Sequence, residues 1–333
     1  MADVEAVRRT AGMLESFPRS LLAVSGADRV AYLHNMVTHD IKGLSPGQAR
    51  PACLLDRQGK IRALLLVHAR VDALHLETDP SQSANALEGL RKFIVSEAVE
   101  IREITDRHRI VSLHGPSTAA LLASVWGRPF PLPTAPLTHR EGPPGSGIRW
   151  VARWDLFYVP GYHLWVDAEK EAPIRSLLLE KGSSLGLRAI DPASFEILRL
   201  EAAVPWPGKE IDETVILNEL GMDDLFSATK GCYVGQEIVA RIKYRAHPPR
   251  LLNGFTLAGD RVPPPRSPSV LEGKPVGILT SACFSPTLHR VIGLGFLSFG
   301  VETTDVAVQT PEGFIPAAVA DRPFVKPPFT GSG

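Results

Sequence analysis

A strand–turn–helix pattern that occurs twice between residues 19 and 126 constrains the fold more than any other feature of the chain. Residues 19–37 read "RSLLAVSGADRVAYLHNMV" and residues 107–126 read "RHRIVSLHGPSTAALLASVW". Each stretch begins with an apolar run typical of a strand, continues through a glycine turn and ends in an amphipathic helix. Two such units with strands between them predict an α+β fold with ferredoxin-like pairing.

The first predicted helix has Val30, Leu33 and Val37 on one face, and Ser25 and Asp28 are placed as a capping pair. The turn before it reads "VSGADRV" and lacks the G-x-G-x-x-G spacing of a dinucleotide-binding loop. We therefore interpret the repeat as structural.

The second predicted helix buries Leu121, Leu122 and Val125, and Gly127 ends it. Residues 127–147 are rich in proline and glycine, which predicts a long surface connection without regular structure.

A second proline-rich stretch, residues 259–268, precedes short apolar runs separated by turn residues. The runs read "PVGILTSA", "RVIGLGFLSF" and "DVAVQT", which predicts a small antiparallel barrel. We predict two regions, residues 1–246 with two α+β domains and residues 247–333 with the barrel domain.

Composition excludes several functional classes. The chain has 333 residues, 36 basic and 36 acidic, so no global field favours nucleic acid or an anionic membrane. Its three cysteines are far apart, which argues against a disulfide framework or a zinc site. The N-terminal segment lacks an uninterrupted apolar run. We expect a reduced, cytoplasmic monomer that binds no metal, nucleic acid or membrane.

A third predicted helix places a carboxylate in an unfavourable position. Asp191 is suited to the N-cap and Pro192 to the first turn, whereas Glu201 falls in the last turn, where the helix dipole disfavours an anion. Glu201 therefore needs an arginine such as Arg199, an exposed face or a ligand. One hypothesis is that it accepts two parallel hydrogen bonds from a planar amino-heterocycle; the alternative is an exposed ion pair.

The stretch "KGCYVGQEIVARIKYR", residues 230–245, places Cys232 two residues after Lys230 and before a predicted helix that carries Glu237 in its first turn. A nearby cation or a helix N-terminus favours the reactive thiolate. The alternative is a small buried side chain. The basic stretch "RIKYRAHPPR", residues 241–250, is either a solvated face or a surface that attracts an acidic partner.

Three motifs carry a resemblance to a known family: "GLRAID…EILRLEAAVPWPGKEID", "KGCYVGQEIVARI" and "GILTSACFSPTLHRVIGLGFL". They resemble the YgfZ family of folate-binding proteins, relatives of the glycine-cleavage T-protein (aminomethyltransferase), in order from about Leu21 to Phe324. The resemblance implies two interleaved α+β domains and a C-terminal barrel around a central opening. It also implies tetrahydrofolate as ligand and a role in assembly or repair of iron–sulfur proteins, with these proteins or their assembly machinery as partners.

The resemblance also implies roles for single residues. Glu201 matches the T-protein glutamate that binds the pterin ring, and Lys230 falls where T-proteins have an arginine near the folate. Arg266 and Phe329 are further folate-contact predictions. The K-G-C-Y-x-G-Q-E motif is specific to the YgfZ branch, so Cys232 is the predicted reactive group.

One departure from the T-proteins bears on the reaction. T-proteins carry an aspartate that helps to transfer the aminomethyl group, and the corresponding region here, "LHLETDPSQSANAL", offers only Glu77 and Asp79 without the surrounding motif. We therefore predict a folate-binding accessory protein. The alternatives are a folate-dependent aminomethyl- or methyltransferase, and a scaffold that binds partners through its basic stretch.

Overall fold

The residues that the structure describes form two β-sheets and one closed barrel. A computed structural model describes residues 2–127, 132–301 and 305–326. Both sheets lie N-terminal to the barrel in the chain.

The larger sheet has six strands in the order β11-β1-β7-β10-β9-β8. These strands are β1 (Ala11–Leu14), β7 (His108–His114), β8 (Thr138–Glu141), β9 (Ile148–Arg153), β10 (Gly161–Asp167) and β11 (Leu187–Ile190). The parallel pair β1–β11 joins the N-terminal strand to one that follows it by more than 170 residues. The first and last parts of the α+β region are therefore held in one sheet.

The second sheet has five strands in the order β3-β4-β5-β2-β6. They are β2 (Ser20–Ser25), β3 (Ala49–Leu55), β4 (Ile61–Ala69), β5 (Leu74–Thr78) and β6 (Glu100–Glu103). Because β2 to β6 lie between β1 and β7 in sequence, the two α+β units are interleaved, as predicted.

In the described part of the chain, seven α-helices cover the sheets and connect them to the barrel. They are α1 (Ala2–Arg9), α2 (Arg29–Met36), α3 (Ser83–Arg91), α4 (Thr118–Trp126), α5 (Glu171–Gly182), α6 (Pro192–Glu201) and α7 (Gln236–Arg245). Apolar residues of α2 and α3 share a core with the five-stranded sheet, and those of α4 and α5 share one with the six-stranded sheet. The amphipathic helices of the repeat thus bury their apolar faces as the sequence predicts.

The barrel closes in the order β12-β15-β14-β13-β16-β17. Its strands are β12 (Arg250–Leu257), β13 (Ser267–Leu271), β14 (Lys274–Ser285), β15 (Arg290–Ser298), β16 (Asp305–Thr310) and β17 (Gly313–Ala320). The α+β class and the antiparallel barrel are confirmed. The proline-rich stretch lies inside the barrel region, between β12 and β13, and the domain boundary after residue 246 stays a proposal.

Two local predictions are wrong. Asp28 does not cap α2 with its side chain; its Oδ2 accepts the backbone N–H of Ala98 at 2.8 Å instead. The connection after Gly127 includes strand β8, which pairs with β9. The sequence near Asp28 does not show that Ala98 is its partner, and the sequence near β8 does not show that it pairs with β9. Both partners lie elsewhere in the chain. Gly127 ends α4 in the left-handed conformation with φ 63°, as predicted.

Helix α6 lies where the three units meet. Leu198 and Ala202 belong to the core between the two sheets, whereas Leu200 and Ala203 belong to a core shared with the barrel. The end of α6, at Glu201, is therefore surrounded by side chains from all three units.

Candidate functional site

The N-terminal cap of α6 sets where the helix begins. Asp191 has extended backbone, and its Oδ1 accepts the N–H of Ser194 at 2.6 Å, while Pro192 takes the first helical position. This confirms the predicted cap. The ten residues that follow bring Glu201 to the end of the helix.

Glu201 is completely buried, and both of its carboxylate oxygens have partners. Ser285 of β14 donates to Oε1 at 2.6 Å, and Arg8 of α1 donates to Oε2 at 3.0 Å. Arg8 also donates to the carbonyl oxygen of Phe157 at 2.8 Å. The cation that compensates Glu201 is therefore Arg8, 193 residues away, and not Arg199. The sequence contained no local signal for Arg8.

Arg199 has a different set of partners. It is fully buried and pairs with Glu196 and with Glu210, the latter at 2.9 Å. It also donates to the hydroxyl of Ser281 in β14 at 2.8 Å. Glu210 in turn accepts the hydroxyls of Thr280 at 2.8 Å and Ser281 at 2.6 Å.

The R-x-E-A and T-S-x-x-x-S-P motifs therefore meet in space, and we call their contacts the α6–barrel network. Its members are Arg199, Glu201, Glu210, Thr280, Ser281 and Ser285. Each buried charge in the network has a partner, which is the condition for stable burial of charge. The network fastens the barrel to the α+β region.

One N–H group of Arg8, the residue paired with Glu201, has no hydrogen-bond acceptor in the described part of the chain. Nε of Arg8 is buried and has no hydrogen-bond partner among the described residues. A pterin ring offers an exocyclic amine beside a ring N–H, which suits a carboxylate, and a carbonyl oxygen, which suits a guanidinium N–H. Glu201 and Arg8 therefore present the donor and acceptor types that a pterin requires.

The Lys230 side chain is hydrogen-bonded to the end of α2. Its Nζ donates to the carbonyl oxygens of His34 and Val37, and it lies 4.8 Å from the ring centroid of Tyr233. A cation at these carbonyls satisfies the unpaired end of a helix. Burial lowers the pKa of Lys230 to about 8. These contacts attach the turn that carries Cys232 to the end of α2. The predicted contact of Lys230 with folate stays a prediction.

Cys232 differs from the other two cysteines in exposure. It lies exposed in the turn before α7, which begins at Gln236 with Glu237 in its first turn. Burial raises the pKa of the Cys53 thiol far above its usual range and raises that of Cys283 to about 12. Cys232 is therefore the most exposed thiol of the three, and Cys283 is of intermediate exposure.

The remaining predicted folate contacts lie apart from Glu201. Arg266 is in an exposed turn, where its Nη2 lies 3.3 Å from Oδ2 of Asp212. Phe329 lies outside the described residues. In the described part of the chain, neither Lys230 nor Arg266 has a hydrogen bond or ion pair to Glu201.

The two acidic residues considered for group transfer have structural partners. Glu77 is completely buried; its Oε1 lies 2.7 Å from His68 Nε2 and accepts from Trp165 Nε1 at 3.0 Å, and its Oε2 lies 3.3 Å from His163 Nδ1. The contacts of Glu77 with Trp165 and His163 join the two sheets. Asp79 caps the short helical turn Pro80–Gln82 by accepting from the N–H and hydroxyl of Ser81.

Metal-binding clusters and membrane-spanning helices are both absent from the described ranges. They contain no group of three or more His, Cys, Asp or Glu side chains placed to hold a metal ion. None of their helices is long and apolar enough to cross a membrane.

A chain with interleaved sheets followed by a closed barrel matches both domains of the glycine cleavage T-protein family. The GCVT N-terminal domain matches residues 1–230, and the glycine cleavage T-protein C-terminal barrel domain matches residues 250–326. The chain belongs to this family.

Particular relatives are aminomethyltransferases. The chain is 27% identical to that of Thermosynechococcus vestitus, over 98% of this chain and 88% of the relative. It is 26% identical to that of Chloroherpeton thalassium, over 98% and 90%. The crystal structure of glycine cleavage system aminomethyltransferase T from Bartonella henselae superposes with a TM-score of 0.87 at 19% identity, over 98% of this chain and 89% of that one. This structure supports the fold.

Proposed function

We propose that this chain is a tetrahydrofolate-binding protein of the YgfZ branch that assists assembly or repair of iron–sulfur proteins, with Cys232 as its reactive group. One observation carries the proposal: Cys232 is exposed, while Cys53 is buried and Cys283 is of intermediate exposure, both with raised pKa values. The thiolate is the nucleophilic form of cysteine, so the raised pKa values count against Cys53 and Cys283, and exposure favours Cys232.

Glu201 and Arg8 are the residues that would hold the pterin ring. The Glu201 carboxylate is buried and already accepts from Ser285 and Arg8, so binding requires at least one of these hydrogen bonds to be exchanged for a pterin N–H. The Nε–H of Arg8, which has no hydrogen-bond partner in the described ranges, supplies the matching donor. Tetrahydrofolate, when bound, supplies a carrier for one-carbon groups.

The Cys232 turn is held in place and open to a partner. Lys230 fixes its first residue to the end of α2, and Gly235 adopts φ 84° where a side chain would meet the carbonyl oxygen of Asp56. At Gly231 an added Cβ would have no heavy atom within 4 Å. This open backbone leaves room for a partner protein to approach the thiol.

The second candidate function is folate-dependent aminomethyl transfer, which the names of the relatives favour. Against it, Glu77 is locked between the sheets and Asp79 is engaged by Ser81. Neither is a free acid beside Glu201 in the described residues. Conversion of tetrahydrofolate to its methylene form with an amine donor would select this second function.

Complementation of a deletion strain tests the proposal. We expect Cys232→Ser to keep its folate affinity and thermal stability and to fail to restore iron–sulfur enzyme activity. Cys283→Ser is the matched control and should complement. Full complementation by Cys232→Ser would show that the thiol has no chemical role.

A further inference from the structure

We propose that a cleft beside the Cys232 turn binds an acidic segment of a partner protein that carries an apolar side chain. We call it the α3 cleft. It has a volume of about 510 Å³ and lies between helix α3, the turn between β3 and β4 (residues 56–60) and Val234. The inference rests on the proposed function, in which a partner reaches Cys232, and it names the surface that would hold that partner.

Val234 places the α3 cleft next to the thiol. It lies two residues from Cys232, so the two Cα atoms are at most about 7 Å apart. The next residue, Gly235, packs against the opposite wall. A Cβ on it would lie 2.5 Å from the carbonyl oxygen of Asp56 and 3.2 Å from Cβ of Leu55. The Cys232 turn is therefore in close contact with two residues that line the cleft.

Part of the surface of the α3 cleft is apolar. Leu55 is buried at its base, Val234 is partly buried, and Phe93 is 37% exposed. Val95, two residues after Phe93, is 90% exposed. A leucine of a partner that packs against Phe93 and Val234 would remove this apolar surface from water, which favours binding.

Two cations that line the α3 cleft lack an acidic partner. Arg57 belongs to the turn between β3 and β4, and Lys92 directly follows the last residue of α3. Both side chains are exposed, and neither forms an ion pair with another residue that the structure describes. Nζ of Lys92 lies 6.0 Å from the ring centroid of Phe93. A partner that packs on Phe93 is therefore within reach of a cation.

The carboxylates nearby leave these cations available. Asp56 accepts two backbone N–H groups of its own turn at 2.8 and 3.0 Å, and Glu213 pairs with Arg62 at 3.2 Å. Glu88 lies one helical turn before Lys92, and a surface pair at this spacing is weak. Three basic and two acidic side chains line the cleft, so its charge is complementary to an acidic segment.

The shape of the α3 cleft favours a chain segment over a small molecule. Most of its side chains are exposed or partly buried, whereas pockets for small molecules bury most of the ligand surface. A segment can lie along the cleft, with an apolar side chain at Phe93 and carboxylates at Arg57 and Lys92. Its neighbouring residues would then lie beside Cys232.

Disulfide exchange with designed peptides tests the α3 cleft. The protein carries Cys283→Ser, so that Cys232 is the exposed thiol. Each peptide has a cysteine activated by a thiopyridyl group, then two glycines, then Glu-Leu-Glu, Lys-Leu-Lys or Glu-Ser-Glu. The Cys232 thiolate attacks the cysteine sulfur of the peptide, the bond to the thiopyridyl sulfur breaks, and the released pyridinethione is measured by its absorbance.

We expect the Glu-Leu-Glu peptide to react at least about tenfold faster than the Lys-Leu-Lys peptide, because two attractive charge pairs become repulsive. It should react at least about threefold faster than the Glu-Ser-Glu peptide, because leucine buries apolar surface. The preference for glutamate should shrink as salt concentration rises.

Variants assign the two preferences to residues. Arg57→Gln/Lys92→Gln should reduce the preference for glutamate to about twofold or less, and Phe93→Ser should remove the preference for leucine. Lys274→Gln/Arg290→Gln changes an exposed lysine and an exposed arginine of the barrel. This matched control should keep both preferences. Equal rates with dithiodipyridine, a small uncharged disulfide, show that the Cys232 turn is intact in each variant.

The outcomes separate the α3 cleft from the proposed function. Equal rates for the Glu-Leu-Glu and Lys-Leu-Lys peptides, or an unchanged preference in Arg57→Gln/Lys92→Gln, overturn the cleft and leave the role of Cys232 intact. If inorganic phosphate slows the Glu-Leu-Glu peptide more than sodium chloride of equal ionic strength does, the cations bind a small anion and the partner segment is wrong. If Cys232 does not react with dithiodipyridine, the proposed function fails and this inference fails with it.

Discussion

Ser285 donates its hydroxyl hydrogen to the Glu201 carboxylate over 2.6 Å, and this bond joins strand β14 of the barrel to the end of α6. The residue that the resemblance assigns to the pterin therefore also holds two domains together. The barrel is attached through Oε1 of Glu201, which belongs to the carboxylate that the proposal assigns to the ligand. Folate binding should consequently change the contact between α6 and the barrel.

Removing the Ser285 hydroxyl should separate these two roles. We expect Ser285→Ala to lower the free energy of unfolding by about 1–3 kcal/mol, because a buried carboxylate oxygen loses its donor. Folate affinity should stay the same or increase, since a competitor for the carboxylate is gone. Urea unfolding and calorimetry measure the two effects. Ser183→Ala, which removes an exposed hydroxyl, is the control; weaker folate binding by Ser285→Ala would contradict this reasoning.

The buried groups between the sheets predict acid sensitivity. Burial lowers the pKa of His75 to about 4 and that of His139 to about 3, and the histidines around Glu77 hold its pKa far below the usual range. Each folded pKa lies below its unfolded value. The stability that these groups contribute is therefore complete above about pH 6.5 for the histidines, and above about pH 4.3 for Glu77, and is lost as pH falls.

Urea unfolding between pH 7.5 and pH 4 measures how the free energy of unfolding changes with pH. Below pH 6.5, His139→Gln should reduce the pH dependence of the free energy of unfolding by up to about 1.4 kcal/mol per pH unit. The exposed control His289→Gln should leave this pH dependence unchanged. A free energy of unfolding that is constant over this range would show that the buried histidines do not resist protonation.

The three thiols should react in a fixed order. Burial raises the pKa of the Cys283 thiol from 9.0 to about 12, which lowers the fraction present as thiolate about a thousandfold. The pKa of the buried Cys53 thiol is raised further. With iodoacetamide at neutral pH, Cys232 should be alkylated first, as read by peptide mass spectrometry. Labelling of Cys53 or Cys283 ahead of Cys232 in the folded protein would remove the basis for a reactive Cys232.

The ends of two helices were predicted correctly from local chemistry. Asp191 and Pro192 begin α6, and Gly127 ends α4, because caps depend on residues within one helical turn. The amphipathic helices of the repeat were predictable for the same reason. The resemblance supplied the interleaving of the sheets, which no local pattern contains.

Predictions that depended on distant partners failed or were missed. The Asp28 carboxylate accepts the backbone N–H of Ala98, 70 residues away, and so does not cap α2. Strand β8 forms because it pairs with β9. Arg8 was missed as the partner of Glu201 because 193 residues separate them. Ser285 lay inside a quoted motif, yet only the fold shows that its hydroxyl meets Glu201. Sequence spacing does not encode such contacts.

Calorimetric titration of tetrahydrofolate into wild-type and Glu201→Gln protein tests folate binding at the end of α6 most directly. The glutamine keeps the shape and turns one acceptor into a donor, so binding should weaken by roughly 1–3 kcal/mol, or about 5- to 150-fold in Kd. Glu210→Gln alters the same α6–barrel network without touching Glu201, and it should lower stability while leaving Kd unchanged. We expect saturable wild-type binding that only Glu201→Gln weakens; no wild-type binding, or equal Kd values for wild type and Glu201→Gln, would contradict the account.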